Sequence, residues 1–149
     1  MKPRILLVNP PIYDFSAYDF WLKPYGLLRV AGFLRGQAEF HLIDFLDRLD
    51  RRVPPGNYRC DAWGRGAFYS ELAEKPAMFD GIPRQFHRFG IPRPELQNFL
   101  ADGDPFDYAL VQTGMTYWYP GVGEVIDDIR QISPSTKIIL GGVYATLCP

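Results

Sequence analysis

The chain has 149 residues, 47% of them hydrophobic, and a formal net charge of −1. That length suits one domain with a sizeable core, the composition excludes a disordered chain, and the charge balance supplies no global field to attract nucleic acid or an anionic membrane. The only two cysteines, Cys60 and Cys148, have no CxxC spacing; they support neither a disulfide framework nor a structural metal site, and a cytoplasmic setting is the expectation. Lys2 and a strand from Ile5 leave no room for a signal-peptide apolar region, and no apolar run approaches the roughly 18 residues that span a bilayer.

In chain order, Arg4 to Asn9 is a continuous apolar run of strand length, as expected of a strand covered on both faces, and Pro10-Pro11 ends it. Asn9 to Lys23 reads as a loop rich in Tyr, Phe and Asp. Pro24 to Arg35 reads as a helix, with Pro24 in its first turn, Leu27, Leu28, Ala31 and Leu34 on one face and Gly36 at its end. Phe40 to Phe45 gives a second strand and completes a βαβ unit.

Residues 47–104 form a long irregular insert, punctuated by Pro54-Pro55-Gly56, Gly81-Ile82-Pro83 and Gly90-Ile91-Pro92. Within it only Phe68 to Glu74 and Pro94 to Leu100 read as short helices. Its aromatics, Trp63, Phe68, Tyr69, Phe79, Phe86 and Phe89, argue for packing rather than disorder. Nine of the 16 Lys and Arg residues lie between Arg48 and Arg93. A stretch of this kind inside a compact domain is usually functional or a docking surface. Regularity returns with a strand at Phe106 to Gln112. A helix follows at Gly121 to Ile132, with Val122, Val125, Ile126, Ile129 and Ile132 on one stripe, and then a strand at Lys137 to Leu140.

These elements predict an α/β, flavodoxin-like or Rossmann-like doubly wound parallel sheet. Its strand order is 2-1-3-4, with Val8, Val111 and Leu140 on central strands and a fifth strand missing. The switch point then falls between the first and third strands. It puts Asn9, Pro10 and Pro11 beside Thr113, Gly114 and Thr116, with Gly141 and Gly142 next to them; ligands bind at that edge of open α/β sheets. Tyr117-Trp118-Tyr119 can wall a pocket for a planar ligand or simply pack. No GxGxxG follows the first strand and no Walker loop exists. His41 and His87 sit in no motif, and Asp14 and Asp19 read as solvated loop acids, so no catalytic residue and no metal ligand is assigned.

Five blocks in order carry a resemblance. They are Ile5 to Pro11, Pro24 to Leu34, Leu42-Ile43-Asp44, Asp107 to Gly121, and Ile138 to Thr146, the last including Tyr144. Together they resemble the N-terminal cobalamin-binding domain of radical SAM proteins, over nearly the whole of residues 1–149 apart from the insert. The resemblance implies that Thr113, Gly114 and Thr116, with Gly141 and Gly142, embrace the corrinoid's nucleotide tail. It implies a C-terminal radical SAM barrel as partner in the same chain, carrying S-adenosylmethionine and a [4Fe–4S] cluster. The CxxxCxxC of that barrel is not in this sequence, and the stop at Leu147-Cys148-Pro149 reads as truncation, so this chain alone is expected to be non-catalytic. The loop from Asn9 to Phe20 has no histidine, so cobalt would be held without a protein imidazole. Two alternative readings remain: a cofactor-free docking or scaffold domain of the same protein, and a flavodoxin-like flavin-binding module.

Overall fold

The computed structural model describes residues 2–148; the chain end read at Pro149 lies outside them. Four parallel strands make the central sheet: β1 (Arg4–Asn9), β4 (Glu39–Asp44), β8 (Tyr108–Thr113) and β9 (Lys137–Gly142), in the order β4-β1-β8-β9. This is the order expected from the sequence. It brings the ends of β1, β8 and β9 to one edge.

Helices cover both faces, because β1 is apolar from Ile5 to Val8 and its side chains alternate. Leu6 and Val8 join Ile43, Val111 and Ala109 under α2 (Pro94–Asp102) and α3 (Tyr119–Ile132), through Leu96, Leu100, Val122, Val125 and Ile129. Ile5 and Leu7 face the other way, against Leu27 and Ala31 of α1 (Tyr25–Phe33). α1 covers only part of its face, and Ile139 there is half exposed. β9 is an edge strand rather than a central one, and Leu140 is 40% exposed. A five-residue helix, α4 (Val143–Leu147), follows it.

The insert is more regular than its Gly and Pro content suggested. The segment Phe68 to Glu74 is no helix: β6 (Ser70–Leu72) pairs antiparallel with β7 (His87–Phe89), which pairs with β2 (Ile12–Asp14) of the loop after β1. β3 (Tyr18–Asp19) pairs with β5 (Gly66–Ala67). Strands of two or three residues leave no readable alternation, so only the partner strand reveals them. Phe68, Phe86 and Phe89 are buried, but Trp63 is 72% exposed. The expected helix at Pro94 is α2, and it fills the place of the second crossover helix.

Two ion pairs fasten the insert to α3. Arg88 of β7 forks onto Glu124 (2.7 and 2.9 Å), with both side chains almost fully buried. The Tyr13 hydroxyl donates to the same carboxylate at 2.6 Å, and Arg88 Nη1 donates to the Ile91 carbonyl. One turn on, Asp128, completely buried, accepts from Arg93 and Gln97. Arginines of the insert, the stretch expected to be functional or a docking surface, are therefore partly spent inside the molecule. Burial and the bond to Glu124 push the Tyr13 phenol up to about 12.

Removing one member of a buried pair leaves an uncompensated charge, which costs about 3–5 kcal/mol, whereas replacing both with apolar residues is often neutral. Glu124→Leu is expected to lower unfolding stability by about that amount, and Arg88→Met with Glu124→Leu to restore most of it. Urea unfolding of the four members of the cycle measures this. A double variant as unstable as the sum of the singles would show the pair to be uncoupled.

Candidate functional site

The parallel strands end together at the carboxyl edge, where the register sets Asn9 beside Asp44 and Thr113 beside Gly142. Three polar side chains form a row across it. Asn9 Nδ2 donates to Asp44 Oδ1 at 2.7 Å, and Gln112 Nε2 donates to Asn9 Oδ1 at 3.2 Å. Asp44 Oδ1 also accepts from the Leu46 amide. Because an ionised carboxylate can only accept, Asp44 fixes the amide of Asn9, which in turn fixes that of Gln112. Burial pushes the Asp44 carboxyl above its ordinary value, against the lowering effect of Asn9, Leu46 and Lys23.

Beside this row lies an apolar groove of about 480 Å³ between α1, β8 and β9. Leu27 and Val30 form one wall, Leu110 and Ile139 the floor, and Gly141 and Val143 the far lip. Gln112 is the polar group on that lining with a carbonyl oxygen to spare. A wider depression of about 510 Å³ lies at the opposite edge, around Arg4, Phe106 and Lys137. It is more open and less apolar than the groove and sits at the amino ends of the strands, away from where parallel sheets bind ligands.

The candidate residues do not all meet in one place. Thr113, Gly114, Gly141 and Gly142 line the groove. Thr113 is buried and its hydroxyl is already committed: it donates to the Gly141 carbonyl at 3.2 Å and accepts from the Ala145 amide at 3.1 Å. It ties β9 to α4 and has little left for a ligand. Asn9 and Pro10 are buried beneath the edge, and Pro11 is packed under α3, where a Cβ on Gly121 would lie 1.9 Å from the Pro11 carbonyl oxygen. Thr116 is exposed, Tyr117 lines a separate aromatic cavity, and Tyr144 packs near Tyr119.

The glycine pair divides by role. Gly142 has φ +122°, and a Cβ there would lie 2.2 Å from the Thr113 carbonyl oxygen; the backbone itself demands glycine. A Cβ on Gly141 meets nothing within 4 Å and points into open space along the groove. Asp44 and Gln112 were missed from sequence, since a strand-end Asp and Gln resemble ordinary turn residues until the register aligns them. Asp14 and Asp19 are not a pair of solvated acids. Asp14 accepts from Trp118 Nε1 at 3.1 Å, and Asp19 is buried against Arg48 at 2.9 Å. His87 lies on β7, with its Nδ1 buried and unpartnered among the described residues. Among those residues, no cluster of three or more His, Cys, Asp or Glu could hold a metal ion, and no helix is long and apolar enough to cross a membrane. Compared with known proteins, the chain matches no family model, no curated protein and no solved structure.

Two measurements follow. Gly142→Ala is expected to cost about 2 kcal/mol or more, while Gly141→Ala stays within about 1 kcal/mol of the parent; thermal unfolding separates them, and equal losses would deny Gly142 its special conformation. The raised Asp44 value means that the folded chain holds this proton more tightly than the unfolded chain. Its contribution is therefore largest below the ordinary aspartate range and is lost as pH rises through the folded value. Relative to Asp44→Asn, the parent should gain stability on acidification from about pH 7 to about pH 4. Urea midpoints at both pH values check the sign.

Proposed function

We propose that this chain is the cobalamin-binding, or cobalamin-binding-like, domain of a radical SAM protein, orienting a corrinoid against a barrel domain in the same protein. The observation that carries the reading is the groove at the carboxyl edge, with Gly141 leaving its lip open. Its apolar floor of Leu110 and Ile139 suits the flat base of a nucleotide tail. Its glycine lip lets such a group pass close to the backbone. A bound corrinoid would supply methyl transfer or carbon-skeleton rearrangement. Leu27, Val30, Leu110, Ile139 and Gly141 would hold the tail, and Gln112 would accept a hydrogen bond from it. Thr113 and Gly142 shape the lip through internal bonds, a smaller role than the resemblance gave them. The segment Asn9 to Phe20 contains no histidine, so cobalt would be held without an imidazole from that loop. The protein is placed in the cytoplasm in this reading.

Titration with hydroxocobalamin, followed through the corrin absorption bands, tests it on this chain and on a longer chain carrying the barrel. Binding is expected to be weak here and stronger in the longer chain. Gly141→Val, which puts a branched side chain in the groove without touching the fold, should weaken binding about tenfold or more. Gly142→Val is uninformative, because it strains the backbone with or without ligand. Equal affinity of Gly141→Val and parent would remove the groove as the tail site. No binding by any length of chain would favour the cofactor-free scaffold.

A further inference from the structure

A second cavity, of about 170 Å³, lies between β2, the insert and the start of α3, and no part of the cobalamin reading uses it. Its wall is aromatic. Phe15 meets Phe79 and Phe86 edge-on, with ring centroids 5.5 and 5.2 Å apart, and Tyr117 and Tyr119 close the other side. Asp14 is the acid on this lining. Its two oxygens accept from neutral donors, the Phe15 amide at 2.7 Å and Trp118 Nε1 at 3.1 Å, and among the described residues no Lys or Arg pairs with it. The other charges nearby are matched: Glu124 by Arg88 and Asp128 by Arg93. The cavity is therefore walled largely by aromatic rings and holds one carboxylate without a cationic partner among the described residues.

We propose that this cavity binds a quaternary ammonium group. A cation is favoured by the rings and by Asp14 together. An alkylated cation is favoured over a bare ammonium by hydrogen bonding. A bare ammonium would give up three hydrogen bonds to water, and a lining made mostly of ring, proline and methionine carbon, with one bond already accepted at each Asp14 oxygen, replaces few of them. A trimethylammonium head carries no N–H, loses little hydration and matches a space of this size. The inference does not rest on cobalamin, and neither fate of the corrinoid titration affects it.

Choline, phosphocholine and the neutral isostere 3,3-dimethyl-1-butanol, each titrated by calorimetry, decide it. Choline is expected to bind in the millimolar range and about tenfold more tightly than the isostere, the margin that ring faces and a carboxylate give a desolvated cation. Asp14→Asn, which keeps an acceptor for Trp118, and Tyr117→Ala, at an exposed ring, should each weaken choline several-fold with circular dichroism unchanged. Phosphocholine binding more tightly than choline would support the site with a phosphorylated headgroup as its source; choline binding at least as tightly would support it with a free cation. Equal affinity for the isostere would overturn the proposal in favour of a plain apolar slot. Absence of binding, or choline binding untouched by both substitutions, would overturn it outright.

Discussion

Two buried carboxylates on one side of α3, Glu124 and Asp128, dictate how the remainder of the chain must fold. Buried charges without partners cost several kcal/mol each, and no cation of the β4-β1-β8-β9 frame reaches them. The cations come from the insert, as Arg88 and Arg93. The insert is thus a structural member of the domain rather than an appendage. Arg88 also lies over the Phe45 ring, at 5.3 Å, directly after β4. One guanidinium accordingly joins α3, the end of β4 and, through Tyr13, the segment after β1. With β7 fixed there, β2 and β6 have a template, and the aromatic cavity between insert and α3 acquires its walls.

The frame was legible in the sequence because its signals are local and redundant. Ile5 to Val8 is apolar throughout, α3 has a full apolar stripe, and the breakers between elements are Pro and Gly. Strand order followed from the crossover pattern and the switch-point rule. The insert was legible only in part. Pro94 at a helix start marked α2, but nothing in Ser70-Glu71-Leu72 distinguishes a three-residue strand from coil. The α3 stripe leaves the place of Glu124 and Asp128 open, and the structure buries both. A burial of acids shows itself only when the arginines that neutralise them, 36 and 35 residues earlier, are brought alongside.

The same distinction runs through the site. Sequence placed the turns after β1, β8 and β9 at one edge of the sheet, since parallel strands must end together. It could not tell which residues at that edge serve the backbone. Gly142 and Gly121 are glycines because another segment's carbonyl lies where a Cβ would be, and Thr113 is a threonine because it closes the β9–α4 turn. Gly141, next to Gly142 and alike in sequence, is free of such a demand. The open position is therefore the informative one for ligand binding.

Electrostatics separates the two cavities more sharply than shape does. The groove is bordered by a row of hydrogen-bonded side chains, in which Gln112 donates to Asn9 and Asn9 to the buried Asp44 carboxylate. It offers a neutral acceptor on an apolar surface, suited to an uncharged flat group. The aromatic cavity offers a carboxylate without a cationic partner among aromatic rings, suited to a cation with few hydrogen bonds to make. Each environment would reject the other's ligand: a cation in the groove would be desolvated without compensation, and an uncharged planar base beside Asp14 would forgo the one interaction that this cavity provides. The two cavities thus present different chemistry, and the buried Arg88–Glu124 pair holds the insert, which supplies one wall of the second, against α3.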